Sequence, residues 1–118
     1  MSAQKQNSAL LVLGMHRSGT SALTGVLSLA GADPGPSLIP PAEGINPKGF
    51  WEHREIVAIH ERLLTAIGTS WDDDRLLQEN WWHLPEVTRF RDELIDVLTR
   101  DFANSPLWIL KDPRLCRL

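Results

Sequence analysis

The chain has 118 residues, of which 42% are hydrophobic and 23% are charged, and these proportions are typical of a soluble globular domain. A formal net charge of −3 gives no basic footprint for a nucleic-acid partner, and the single cysteine, Cys116, excludes an internal disulfide. Because no apolar run is long enough for a signal peptide or a membrane span, we expect no membrane partner and a cytoplasmic location.

The first part of the chain predicts a strand, a helix and a long loop. Residues 8–13 are an unbroken apolar run, which is typical of a strand buried on both faces of a parallel sheet. A helix is predicted over 20–30, with an apolar stripe of Leu23, Val26, Leu27 and Ala30. Residues 33–49 contain five prolines and three glycines, which exclude regular structure and favour a stiff, defined path.

The second part predicts two helices and another strand. Apolar residues at 56, 59, 63 and 67 recur at helical spacing, so a helix is predicted from 52 or 53 to 67. An aromatic and acidic connection over 71–83 leads to a third helix over 85–102, which Pro85 suits as a first-turn residue. Residues 107–110 form a second buried strand, which ends at the sequence Lys111-Asp112-Pro113-Arg114.

This order of elements predicts an α/β fold in which both strands belong to one parallel sheet. Ligands of such sheets bind beyond the carboxyl ends of the strands, so the segments 14–21 and 111–114 should face the same crevice. Two strands are too few for a stable open sheet. We therefore expect residues 1–118 to be the N-terminal part of a single larger α/β domain, with residues 1–7 disordered.

The segment between the first strand and the first helix has the composition of an anion-binding loop. Gly14 and Gly19 match the glycines of the Walker A pattern, but Thr20 stands where that pattern requires lysine. The missing lysine argues against a triphosphate and favours a smaller group such as a phosphosulfate, with Arg17 supplying positive charge. The alternative is a strand-to-helix turn that merely carries polar caps.

Three stretches together resemble the sulfotransferases that use 3′-phosphoadenosine 5′-phosphosulfate (PAPS), in particular bacterial members distantly similar to tyrosylprotein sulfotransferases. They are residues 14–23, 46–57 and 108–115, in the family's order. The resemblance implies a P-loop-like, three-layer α/β fold and transfer of a sulfuryl group from PAPS to a hydroxyl or amine. It implies that the 5′-phosphosulfate is held by the loop residues Gly14, His16, Arg17, Ser18, Gly19, Thr20 and Ser21. The family's 3′-phosphate site has no counterpart here, so we expect it beyond Leu118.

Two further residues are candidates for the chemistry. Glu52 follows two aromatic residues and aligns with the family's catalytic glutamate, so it is the predicted base, with Glu55 as the runner-up. Glu52 could instead be a first-turn carboxylate that complements a helix dipole. Lys111 matches a family lysine that contacts the transferring group, and its predicted role is to stabilise the leaving phosphate oxygen.

Other polar and aromatic residues receive weaker interpretations. His53, His60 and Glu61 lack the spacing of a metal motif and are expected to be solvated, so no metal is predicted. Asp112 is expected to pair with Lys111 or Arg114, and Arg114 either orients the acceptor or is structural. The Trp81-Trp82 pair either shapes an acceptor pocket or, more commonly for such pairs, packs in the core or at an interface.

Two other functions remain open at this point. One is a small-molecule kinase that uses Mg·ATP, and the other is a truncated, non-catalytic fragment. The expected acceptor is a small molecule or a carbohydrate, although lipid and peptide acceptors are equally compatible with the sequence. The oligomeric state is left open.

Overall fold

The structure is a computed structural model that describes residues 7–16, 18–41 and 49–118. Within these residues the fold is mixed α/β, as predicted, with a two-stranded parallel sheet and three α-helices. The elements are β1 (Ser8–Val12), α1 (Thr20–Leu29), α2 (Arg54–Ala66), α3 (Pro85–Phe102) and β2 (Leu107–Lys111). Short 3-10 helices cover Trp81–His83 and Pro113–Cys116. All five predicted elements are present, with bounds that differ by two residues at most.

The register of the sheet places the two strand ends side by side. Ser8 pairs with Leu107 at one end and Val12 with Lys111 at the other. Asp33 pairs with Trp108 on the other edge of β2, donating its backbone N–H to the Leu107 carbonyl and accepting from the Ile109 N–H. Strand β2 therefore has a neighbour along both of its sides. The segments that follow β1 and β2 both start from the end of the sheet where Val12 pairs with Lys111.

The main hydrophobic core lies between α2, α3 and β2. The predicted three-and-four spacing of α2 and α3 is confirmed, because it turns apolar side chains of both helices toward each other. Buried members of this core are Ile56, Ile59, Leu63, Val87, Phe90, Val97, Phe102 and Leu110. The site described below lies at the edge of this rigid block.

The burial predicted for β1 and α1 is wrong. Leu11 of β1 is 54% exposed, and of the strand only Val12 is buried. In α1 the predicted stripe residues Leu23 and Val26 are 52% and 64% exposed, whereas Thr20, Thr24 and Gly25 are buried. The physical reason is that β1 pairs on one edge only and the described residues place no second layer over it.

The proline-rich loop after α1 has no helix or strand in its described part, as its composition predicts. It forms an isolated bridge between Leu38 and His53, supported by hydrogen bonds from Ile39 N to the Glu52 carbonyl and from Arg54 N to the Ser37 carbonyl. These bonds fix the backbone on both sides of Glu52. Residues 42–48 of the loop lie outside the described residues.

Two expectations about the whole chain can be compared with the structure only for the residues that it describes. The disorder predicted for residues 1–7 falls outside the described residues except at Asn7, whose side chain donates to the Phe102 carbonyl at 3.4 Å. Among the helices that the structure describes, none is long and apolar enough to cross a membrane.

Candidate functional site

The loop after β1 is closed so tightly that only glycine fits at position 14. A Cβ atom on Gly14 would lie 2.6 Å from Thr20 Cγ2 and 2.9 Å from Ser18 Oγ. The Ser18 hydroxyl donates to the Met15 carbonyl at 2.6 Å and holds the turn, and Gly19 then enters α1 with a φ of 88°. Such a left-handed conformation favours glycine. The two predicted glycines thus have distinct local roles.

The first turn of α1 presents backbone N–H groups in an electropositive setting. Among the described residues no side chain caps it, and the turn itself contains no acidic residue. Its dipole therefore favours an anion, as the sequence predicts. Ser18, Gly19, Thr20 and Ser21 meet at this turn, with Thr20 buried and Ser21 half-buried. Arg17 lies outside the described residues, and its contact with an anion stays a prediction.

Lys111, at the end of β2, reaches this turn from the neighbouring strand. Its Nζ lies 3.2 Å from Ser21 Oγ and 3.0 Å from Glu52 Oε1. The Ser21 hydroxyl in turn donates to the Phe50 carbonyl at 3.1 Å. Lys111 is 4% exposed and Glu52 is 5% exposed, so the pair is buried. We call Gly14, Ser18–Ser21, Glu52 and Lys111 the strand-end site.

The two candidate bases, Glu52 and Glu55, lie in different surroundings and have different partners. Helix α2 begins at Arg54 with His53 as its N-cap, so Glu52 precedes the helix. The alternative interpretation of Glu52 as a first-turn helix carboxylate is therefore wrong, because the side chain leaves the helix and pairs with Lys111. Glu55 lies in the helix and binds the Arg100 guanidinium at 2.7 Å, a contact that lowers the pKa of its carboxyl. The runner-up base is thus outside the strand-end site.

Trp51 sets the backbone that delivers Glu52. Its φ of 59° is a left-handed conformation that costs a non-glycine residue about 1–3 kcal/mol. The indole rests on α1 where Gly25 leaves room, since a Cβ there would lie 2.9 Å from Trp51 Nε1. The packing of this ring against α1 holds Glu52 close to the same helix that carries Ser21.

His16 packs at 4.1 Å, between ring centroids, against Trp71 from the connection after α2. Its Nδ1 is buried without a hydrogen-bond partner among the residues described. Burial lowers the pKa of His16, and the positive charges of Arg114 and Lys111 lower it further, against the carboxylates of Glu52 and Asp112, which raise it. The contact with Trp71 had no signal in the sequence.

The turn after β2 is held by a buried polar network that the sequence did not predict. His60, expected to be solvated, is 4% exposed and its Nδ1 lies 2.6 Å from Asp112 Oδ2. The other Asp112 oxygen binds Arg114, and Arg114 also binds Glu61. Of the two pairings predicted for Asp112, the one with Arg114 is confirmed.

His53 is the second histidine whose predicted solvation is wrong. It is 1% exposed, its Nδ1 accepts the Ile56 N–H at the start of α2, and its Nε2 lies 2.6 Å from Asp101 Oδ2. Both nitrogens are engaged between two helices, which makes this histidine structural. The partner, Asp101, is 48 residues away, so no local pattern reveals the contact.

The remaining candidates lie apart from the strand-end site. Trp81 packs against the main core, as expected, whereas Trp82 is 54% exposed. An open groove of about 330 Å³ between α2 and α3 is lined by Ile59 and Val97 and rimmed by charged residues, and it shares no residue with the site. In the part of the chain that the structure describes, no three His, Cys, Asp or Glu residues form a metal-binding group.

Comparisons with known proteins add no relative to this picture. No protein-family model, no curated protein and no solved structure matches the chain.

Proposed function

We propose that this chain binds PAPS at the strand-end site and transfers its sulfuryl group to a hydroxyl or amine of a small molecule or carbohydrate. The observation that carries the proposal is that the buried side chains of Lys111 and Glu52 meet the half-buried Ser21 at the first turn of α1. Each of the three stretches that resemble PAPS-dependent sulfotransferases contributes one of these residues. A P-loop-like, three-layer fold and a cytoplasmic location belong to the same proposal.

The residues of the loop fit a phosphosulfate group. Among the described residues no side chain caps the N–H groups in the first turn of α1, and the space beside the left-handed Gly19 is open, because no described atom outside its chain neighbours lies within 4 Å of a Cβ built there. The buried Nδ1 of His16 has no partner among the described residues and is a further polar atom suited to an oxygen or hydroxyl. The donor would be held by Gly14, His16, Arg17, Ser18, Gly19, Thr20 and Ser21.

Lys111 supplies the positive charge of the transfer step. When bound, PAPS provides a sulfuryl group attached to a good phosphate leaving group. Negative charge then develops on the phosphate oxygen as the sulfur–oxygen bond breaks, and a buried ammonium stabilises such charge more strongly than an exposed one. The proposal includes no metal ion, since the ammonium takes this electrostatic role.

Glu52 accepts the proton of the acceptor. Its Oε1 accepts a hydrogen bond from Lys111, which orients the carboxylate, and its Oε2 receives no hydrogen bond from any described residue. The acceptor oxygen bonds to sulfur as its proton passes to Glu52, and the electron pair of the broken bond stays on the phosphate. Such a positioned base typically contributes about 10²–10⁴-fold in rate.

Calorimetric titration of the chain with PAP, PAPS and Mg·ATP tests the donor. We expect PAP and PAPS to bind more tightly than Mg·ATP, and Gly19→Ala to weaken that binding. Release of PAP in the presence of a panel of sugars, phenols and amines then tests transfer. Preference for Mg·ATP would favour the kinase alternative and overturn the proposal. Binding of none of the three ligands would favour the non-catalytic alternative.

A further inference from the structure

The turn that follows β2 is built around one fully buried carboxylate. Asp112 is 0% exposed, and its Oδ1 accepts the Arg114 backbone N–H and the Arg114 guanidinium, both at 3.0 Å. These bonds begin the 3-10 helix Pro113–Cys116 and stop the strand at Lys111. The backbone that carries Lys111 is therefore anchored one residue beyond it.

Helix α2 anchors the same turn from the side. His60 Nδ1 lies 2.6 Å from Asp112 Oδ2, and the next residue of the helix, Glu61, binds Arg114 Nε. Burial raises the pKa of Asp112, but the hydrogen bonds from His60 and Arg114 outweigh burial and lower it. The carboxylate is therefore the ionised acceptor and His60 Nδ1 the donor. The four residues His60, Glu61, Asp112 and Arg114 are called the α2 clamp below.

The start of helix α2 also lies next to Glu52, the partner of Lys111. The helix begins at Arg54, two positions after Glu52, and its N-cap is His53. The N-terminus of this one helix thus adjoins Glu52, and its middle residues His60 and Glu61 contact the turn next to Lys111. The distance between the carboxylate and the ammonium depends on both attachments.

We infer that His60 is a positioning residue that holds Lys111 in the strand-end site through Asp112. The proposed function is the premise for the kinetic consequence, but not for the placement of Lys111. When the hydrogen bond from His60 is lost, the turn after β2 loosens and the ammonium leaves Glu52 and Ser21 for part of the time. Donor binding by the loop is unaffected, because no clamp residue belongs to it.

Two amide substitutions distinguish the effect of the hydrogen bond at Nδ1 from the effect of side-chain size. His60→Asn places an amide nitrogen where Nδ1 stands, whereas His60→Gln places it nearer to Nε2. We expect the Asn variant to keep Lys111 in place and the Gln variant to release it. His83→Gln, at an exposed histidine of the short helix Trp81–His83, is the matched control.

The primary readout is independent of any enzyme activity. The amine of Lys111 is 4% exposed, so its rate of acetylation, measured by peptide mass spectrometry on the full chain, reports how often it is released. Loss of a hydrogen bond to a charged group predicts a rise of roughly ten- to hundredfold in His60→Gln. Lys5 and Lys48 of the same sample provide the internal reference.

The kinetic readout uses the proposed reaction. His60→Gln should lower kcat with an unchanged KM for PAPS, and His60→Asn should restore kcat. A chain that shows no transfer at all would refute the proposed function while leaving the acetylation result to judge the clamp. The inference is overturned if His60→Gln leaves Lys111 as protected as in the parent, or if Asn and Gln release it equally.

If both His60 variants lose cooperative unfolding, a less disruptive substitution tests the α2 clamp in their place. Glu61→Gln removes one of the two carboxylates that bind Arg114, and because this side chain is 41% exposed we expect the substitution to cost little stability. A rise in Lys111 acetylation in this variant supports the α2 clamp. Unchanged acetylation overturns it.

Discussion

The ammonium of Lys111 lies 3.0 Å from the carboxylate of Glu52, although 59 residues separate them in the chain. Both side chains are buried, so each has lost most of its hydration. A buried pair of this kind gains stability only while both members are present, because removal of one leaves an uncompensated charge in a medium of low dielectric constant. The pair therefore links the stability of the fold to the integrity of the strand-end site.

Lys111→Met should lower the free energy of unfolding by about 3–5 kcal/mol, because it strands the Glu52 carboxylate. Adding Glu52→Gln to Lys111→Met should recover part of that loss, and urea denaturation measures both. Arg62→Met is the matched control at the exposed Arg62–Glu93 pair and should cost much less, because solvent screens an exposed ion pair. Equal losses for Lys111→Met and Arg62→Met would contradict the burial of the Lys111–Glu52 pair.

Glu52→Gln should reduce turnover by about 10²–10⁴-fold, since it removes the proposed base but keeps the shape of the side chain. PAP binding should change little, because Glu52 is not among the proposed donor ligands. Glu55→Gln is the control, as Glu55 is held by Arg100 on the surface. Single-turnover release of PAP measures both variants, and a loss of turnover confined to Glu55→Gln would move the base to position 55.

Gly19→Ala and Gly31→Ala form a matched pair at opposite ends of α1. Both glycines have positive φ, 88° and 122°, and neither added Cβ meets an atom within 4 Å. Each substitution should cost about 1–3 kcal/mol of stability through backbone strain. Only Gly19→Ala should weaken PAP binding, as measured by calorimetry. Equal weakening by both variants would show that the loop is not the anion site.

Acid should destabilise the contact between α2 and α3. The Arg100 guanidinium, with His53, lowers the pKa of Asp101 to about 2 from an ordinary value of 3.8. The folded chain thus binds this proton less readily than the unfolded chain does, so the contribution is complete above pH 3.8 and is lost as the pH falls toward 2. Asp101→Asn should flatten the pH dependence of the melting temperature in that window. An unchanged slope would assign the acid sensitivity to other carboxylates.

Local periodicity was sufficient to predict the helices and strands. The spacing of Ile56, Ile59 and Leu63 and the position of Pro85 fix α2 and the start of α3, because helix geometry converts such spacing directly into one apolar face. The rule that ligands bind beyond strand ends was enough to expect Gly14–Ser21 and Lys111 together. Their actual contact through Ser21 agrees with that expectation.

Burial was harder to predict than the elements themselves. An apolar run such as 8–13 shows which side chains a strand could bury, but it does not show whether another layer of the fold covers them. Leu11, in this run, is exposed because no described layer covers it. His53 and His60 show the opposite difference: the sequence predicts that they are solvated, and the structure buries them. Histidine has no strong preference for the interior or the surface, so its type alone does not indicate burial. Their partners Asp101 and Asp112 lie 48 and 52 residues away, and only the tertiary fold brings them together.

The pairing of Ser8 with Leu107 also has a kinetic consequence. A parallel pair of this sequence separation closes almost the entire chain into one loop, and such contacts form slowly because the entropy of loop closure opposes them. Helices α2 and α3 can associate before that closure, whereas Lys111 reaches Ser21 only after it. The strand-end site should therefore be among the last parts of the molecule to assemble and should disappear whenever β1 and β2 separate.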